Sequence, residues 1–410
     1  MSKQAKWSWM AFVVILLPPA PLFVSGAAAQ EQAEEETRLR PLGTSLTAWD
    51  ILKDKRRAAR DGRWSAILVL SEEAGYNGNI FASPTTDGTV NDLPVGSAVL
   101  TSSARLEVYR YFTRRNRLTL GGNLVDNRYL EDSDVNGTYV DASAEFEHTF
   151  SRSTQAFVSG QVEHENDNAV DIYGDPFTRD FGYVALEGQA GIEQAFGSRH
   201  QIELSYEGKQ KNYNEVSTLN SLDWIQHGPQ VRYRFAAGPT RVRLWYSFAA
   251  QHYVEEPASD VNGNELSTNP AEEHFYHRAM LWVSRDLAPH VAADLRVKYN
   301  MKDDRFQGYE SFHELELSAD IAWAMTHKLS AEVRAGLSTA DYDYRPAEDA
   351  GEALALNYRG GDFTMRYAVS RRAAIFGRYA MMNRNSNRQT GSSYMDYRVN
   401  GAGVGVAVVF

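Results

Sequence analysis

From Arg63 to Phe410 apolar residues recur at every second position, and no stretch there keeps a helical period. Successive side chains of a strand point to opposite sides, so a chain patterned this way sorts itself onto two faces only as β-strands. Val291, Ala293, Leu295, Val297, Tyr299 and Met301 alternate with Ala292, Asp294, Arg296, Lys298, Asn300 and Lys302. Leu315, Leu317, Ala319, Ile321 and Trp323 alternate with Glu314, Glu316, Ser318, Asp320 and Ala322. Ile202, Leu204 and Tyr206 alternate with Gln201, Glu203, Ser205 and Glu207. A soluble β-sandwich alternates as well, but its inner positions must be filled by apolar side chains. Here one face is charged and the other is modest, rich in Ala and Val. Such a wall suits lipid outside and water inside.

Sixteen segments can be counted, from 64–78 at one end to 394–410 at the other, with 240–254, 274–286 and 328–342 among them. An even number suits a closed single-chain barrel. Short connections such as Arg152-Ser153, Gly197-Ser198-Arg199 and Gly238-Pro239 take turns with long ones at 79–96, 166–179, 255–273 and 343–353. The expected fold is therefore all-β: a transmembrane antiparallel up-and-down β-barrel of about 16 strands, with short periplasmic turns and long extracellular loops. Fourteen or eighteen strands stay open if a segment has been merged or split. Phe112, Phe150, Phe196, Phe235 and Trp323 share the outward parity beside the short turns, as an aromatic girdle at one membrane interface should.

Composition narrows the rest. The chain has no Cys, which excludes a disulfide scaffold, a thiol nucleophile and a Cys-ligated metal. Its one long apolar run, Trp7 to Val24, lies at the N-terminus, so a bundle of membrane helices is excluded too. Lys3 and Lys6 precede that run, Pro18, Pro19 and Pro21 break its second half, and Ser25-Gly26-Ala27-Ala28-Ala29 follows. This is the pattern of a signal peptide over residues 1–29. Its removal lowers 42 basic side chains to 40 against 53 acidic ones, a net charge of −13, which argues against nucleic acid as a partner. Residues 30–62 read as a periplasmic tail with a short helix over 48–61, either a lead-in to the barrel or a small plug or docking helix bearing Lys53, Lys55, Arg56, Arg57 and Arg60. The barrel itself is expected over 63–410.

The closing segment Gly405-Val406-Ala407-Val408-Val409-Phe410 resembles the terminal signal that the barrel-assembly machinery reads in Gram-negative outer-membrane barrels. Gly405, Val408 and Phe410 match its glycine, spaced apolar and final aromatic positions, while Gly403 departs from the polar residue usual earlier in it. With the leader, the sixteen segments and Asn385-Ser386-Asn387 before the last strand, the chain resembles the β-barrel porin 2 type. The resemblance implies residence in the cell outer membrane, lipid and lipopolysaccharide as surroundings, and an association with surface-polysaccharide export and its periplasmic components. It names no cofactor.

Strand parity places Asp141, Glu145, Glu147, Glu163, Glu187, Glu193, Glu203 and Glu207 inward on the fourth to seventh segments. Arg232, Arg234, Arg241, Arg243, Arg278, Arg296 and Lys298 point inward on the eighth to eleventh, and Glu314, Glu316 and Asp320 on the twelfth. Acidic and basic sectors side by side would impose a transverse field on a permeating solute; mutual neutralisation in cross-strand ion pairs is the alternative. Inward Tyr109, Tyr111, Tyr183, Trp245 and Trp282 suggest a track for sugar rings, and their placement near strand ends fits packing beside the turns equally well. Asp132, Asp134 and Asn136 open a run spaced like a calcium loop, but its twelfth position is Ser143, so turn chemistry is the better reading and no metal is assigned. His274 and His277 should fall on opposite faces. No G-x-S-x-G or H-E-x-x-H occurs, and no catalytic set is assigned. The function expected is passage of hydrophilic solutes, with polysaccharide export as its special case. A general diffusion porin, or a surface scaffold or adhesin using the long acidic loops, remains open.

Overall fold

A computed structural model of the chain describes residues 64–78, 96–131, 136–166, 182–213, 223–347, 352–387 and 397–410. The leader over 1–29 and the tail over 30–62, with its helix at 48–61, lie outside the described residues. The strands are β1 (Ser65–Asn77), β2 (Ser97–Tyr111), β3 (Asn116–Tyr129), β4 (Gly137–Thr149), β5 (Thr154–Asn166) and β6 (Tyr183–Phe196). Next come β7 (His200–Tyr213), β8 (Trp224–Ala237), β9 (Thr240–Pro257), β10 (Ala271–Ala288) and β11 (Val291–Asp304). The last five are β12 (Phe312–Ala324), β13 (Leu329–Pro346), β14 (Ala353–Ala368), β15 (Ala373–Ser386) and β16 (Tyr397–Val409). Each pairs with the next antiparallel, and β16 pairs back onto β1. The sheet is a closed antiparallel up-and-down barrel of 16 strands, as the alternation predicts.

Closure fixes width. Carried round the wall, the cross-strand registers return to β1 displaced by a shear of about 20 residues. With strands about 4.8 Å apart, sixteen strands at that shear tilt by about 40° and enclose roughly 30 Å between opposite backbones. The two faces separate as the sequence requires. Leu204, Val231, Leu244, Leu281, Leu295 and Ile321 are exposed on one face. On the other, Arg234 of β8 reaches past β7 to Glu193 of β6 at 2.9 Å, a contact only the concave side permits. The charged parity is inward.

Phe112, Phe150, Phe196 and Trp323 are exposed beside the short turns, and Phe235 lies on the same outward parity against His200. Three strands run past their expected ends. β9 reaches Pro257, β10 begins at Ala271 and β13 extends to Pro346, where the sequence suggests loops at 255–273 and 343–353. Glu255, Glu256, Glu272, Glu273 and Asp343 masked that continuation, since a hairpin standing above the rim has no apolar face to alternate. Register shifts between Ala271 and Glu273 and between Asp341 and Pro346 mark the departure from the wall.

Gly228 occupies the tightest strand contact. A Cβ there would stand 1.9 Å from the Phe248 carbonyl oxygen, and the ladder omits Gly228 and Pro229, passing from His227↔Ala250 to Gln230↔Ser247. Pro229 has no N–H to offer β9, so the ladder skips it, and the missing side chain of Gly228 lets the two backbones stay close there. Gly228→Ala is expected to cost about 1–3 kcal/mol by forcing β8 and β9 apart. A lower urea midpoint of the folded barrel in liposomes, at unchanged slope, is the readout.

Candidate functional site

Register sets the inner wall in rows. Glu203 on β7 faces Arg232 on β8, followed by Trp245, Met280, Lys298 and Glu316 on β9 to β12. Two residues nearer the short turns, Gln201 faces Arg234, followed by Arg243, Trp282, Arg296 and Ser318. The strands tilt, so both rows climb obliquely around the wall. The upper row ends in a carboxylate on each side: Arg232 Nη1 donates to both oxygens of Glu203 at 2.9 Å, and Lys298 Nζ to Glu316 at 2.7 Å. In the lower row Arg234 bridges Glu193 at 2.9 Å and Glu203 at 3.1 Å. The Arg243 guanidinium lies 4.6 Å from the Trp282 ring centre. Arg241 stands 3.4 Å from Asp286, and Arg278 lies 4.9 Å from the Tyr276 ring.

The acidic sector carries its own cations. Arg117 of β3 meets Glu145 at 3.4 Å and also Glu147, while Lys209 stands 3.8 Å from Glu187. Glu163 accepts the Tyr183 hydroxyl at 2.5 Å, and Glu207 accepts from Gln230. Asp141, only 2% exposed, sits in register between Asn123 and Glu163. On β12, Glu314 accepts from Asn300 at 2.9 Å, and Asp320 lies 3.4 Å from Arg334 of β13. Arg334 also meets Glu332 at 3.1 Å and Asp362 at 3.8 Å, and Arg366 meets Glu332 at 3.2 Å. All the inward charges expected from parity thus share the concave face, but in mixed clusters instead of bare sectors. Arg117, Lys209, Arg334 and Arg366 are the partners sequence reasoning passed over. Their strand parity was the available signal.

The inward aromatics do not line up. Tyr109 packs with Ile67, Val409 and Tyr111 near the short turns. Tyr183 lies under Lys211 and beside Tyr213, while Trp245 donates to Gln230 at 3.2 Å and Trp282 holds Arg243. Tyr109 packs with Tyr111, and Trp245 and Trp282 are diagonal neighbours across β9 and β10, but these two groups and Tyr183 lie in separate places and form no continuous track. His274 is buried inside the barrel and His277 lies on the outer face, so the two do not share a ligand position.

Asp132 and Asp134 lie outside the described residues; Asn136 Oδ1 accepts the Tyr129 N–H at 2.7 Å. In the loop 258–270, Asp260 Oδ1 accepts the N–H groups of Asn262 and Asn264 at 2.8 and 2.9 Å, and Gly263 has φ 78°. Those bonds, the Asn264 N–H first, hold the Asp260 carboxyl below its usual range. Glu265 moves the other way, raised by burial and then by repulsion from Glu256, Glu272 and Glu310. This loop leans on the next, with Val261 N–H donating to Gln307 at 2.9 Å. At the closing seam Gly405 faces Glu73, Val408 faces Leu70, and the Phe410 N–H donates to the Leu68 carbonyl at 2.9 Å.

No family model matches the chain, and no curated protein matches it. Solved structures do. A bacterial polysaccharide outer-membrane secretin is 9% identical, matching 84% of this chain and 98% of its own at a TM-score of 0.41. An anion-selective porin from Comamonas acidovorans is 11% identical over 85% and 99%, TM-score 0.43. OprB from Pseudomonas putida, in a high-pH structure, is 7% identical over 88% and 97%, TM-score 0.48. At such identities the likeness is one of fold alone.

Proposed function

We propose that the barrel forms a water-filled passage for hydrophilic solutes across the outer membrane of a Gram-negative bacterium, reached by means of the leader over residues 1–29. The observation that carries the reading is the pairing of width with wall chemistry. Sixteen strands at a shear of about 20 enclose more space than side chains of opposite walls fill. A closed sheet whose exposed outer face is Leu, Val and Ile and whose inner face is Arg, Lys, Glu and Asp separates hydrocarbon from water. Its closing residues Gly405, Val408 and Phe410 would present the assembly signal, and lipopolysaccharide would surround the loop end. The lumen needs no catalyst or cofactor for this role.

Purified protein in planar bilayers should give discrete, ohmic steps that scale with salt concentration. A barrel that inserts and stays closed would instead favour the scaffold or adhesin reading. Between polysaccharide export and general diffusion, the sequence resemblance favours the polymer, whereas the scattered inner aromatics favour small solutes. Linear oligosaccharides that block the current from one side in proportion to chain length would decide for the polymer.

A further inference from the structure

Nine of the ten histidines lie at one rim or the other of the outer apolar band. His148, His200, His290 and His327 stand at or beside the short turns. At the opposite rim, His164 is ten residues beyond Thr154 and His227 ten before Ala237. His277 is eleven before Ala288 and His313 eleven before Ala324. Along a strand tilted by about 40° that spacing rises about 25 Å, the height of the apolar band of a membrane barrel. His252 lies just above the same rim, its ring 6.1 Å from that of His227.

Three of the loop-end imidazoles are held alike, and a fourth Tyr–His contact of the same kind, His200 Nδ1 to Tyr233 Oη at 2.7 Å, stands at the short-turn rim. On β7–β8, Tyr206 Oη meets His227 Nδ1 at 2.7 Å; on β9–β10, Tyr246 meets His277 at 2.9 Å; on β11–β12, Tyr299 meets His313 at 2.7 Å. The rings are 6.1, 6.3 and 6.1 Å apart. Each is the same diagonal cross-strand pair, with the histidine nearer the loop end. The three tyrosines are exposed on the outer face. With the hydroxyl as donor to Nδ1 the ring proton sits on Nε2, and each pair then presents an N–H donor where hydrocarbon gives way to headgroups.

We infer that the three loop-end Tyr–His pairs of β7 to β12 bind the phosphate groups of outer-leaflet lipid, forming a lipid belt on one arc of the barrel. This rests on the outer-membrane reading above. A membrane interface asks only for aromatic rings; the repeated imidazole adds a donor suited to a phosphate oxygen. The pairs are not equivalent. His277 packs against Phe248, and His227 neighbours His252, whose Nδ1 lies 3.4 Å from Glu273. His313 Nε2 faces Asp343 at 3.6 Å, so a carboxylate competes with phosphate there. His227 and His277 should therefore carry most of the binding.

The test is native mass spectrometry of the full-length barrel offered bisphosphorylated lipid A or its dephosphorylated form. Wild type should prefer the phosphorylated lipid, and His227→Gln with His277→Gln should reduce that preference about tenfold while leaving retention of the dephosphorylated form unchanged. Tyr206→Phe with Tyr246→Phe should reduce it in part, and Asp343→Asn should increase it. An unaltered preference in the histidine variant, or displacement of the lipid by millimolar inorganic phosphate, overturns the inference. If the histidine variant does not assemble, the tyrosine variant decides alone. A protein that never conducts in bilayers refutes the passage itself; one that conducts yet ignores lipid phosphate refutes only the belt.

Discussion

Replacing Glu203 by alanine is expected to cost the barrel about 2–3 kcal/mol, between the values typical of exposed and of fully buried ion pairs. Glu203 is 5% exposed and is shared by Arg232 and Arg234. Removing it leaves Arg232 without its two bonds of 2.9 Å, while Arg234 keeps Glu193. Arg234 is 36% exposed, so lumen water recovers part of the loss there, which keeps the figure below that of a dry pair. Glu203→Gln keeps the shape and one acceptor and should fall about halfway. Urea unfolding in liposomes reads the stability, and a cycle with Arg232→Met isolates the pair. Coupling below about 0.5 kcal/mol would mean that the pair is solvated and holds nothing.

How much of this could be read from the chain follows from what a period of two encodes. Parity is local, so Arg232, Lys298 and Glu316 could be placed on the inner face from their own strands alone. Even the segment 200–213 could be bounded, because Gly197-Ser198-Arg199 interrupts the alternation on one side. Which inward residues meet depends on register and tilt, and these are properties of the closed sheet. Arg234 and Glu193 are separated by an intervening strand, and no spacing in the sequence announces them. The two sectors were therefore legible as sectors, and their neutralisation as an alternative, while the carboxylates that Arg117, Lys209 and Arg334 would meet were not. The hairpins above the rim failed for a different reason: β9 and β10 carry Glu255, Glu256, Glu272 and Glu273 where neither face meets lipid, so polarity there marks height above the band and not the end of the strand.

Charge reversal at Arg241 and Arg243 should shift the zero-current potential in a KCl gradient towards that of potassium. Arg243 lies in the lower row between Arg234 and Trp282, directly in register with both, and Arg241 is one inward position nearer the short turns. The double Glu variant changes four charges on one arc of the wall. Arg241 is 56% exposed and meets only an equally accessible Asp286, so its stability effect should be small. Arg243 is 8% exposed and stacked on Trp282, which makes Arg243→Gln the control that removes a charge without installing a repulsive one. Ions crossing a low-dielectric wall feel the local arc more than the net charge of the whole barrel, because field lines are focused through the lumen. If electrolyte in the lumen screens the wall, the potential should stay where it is in both variants. A graded shift, Gln less than double Glu, would instead assign the arginine-rich rows of β8 to β11 the selection of ions, and the remaining clusters of β3 to β7 and β12 to β14 the holding of the wall.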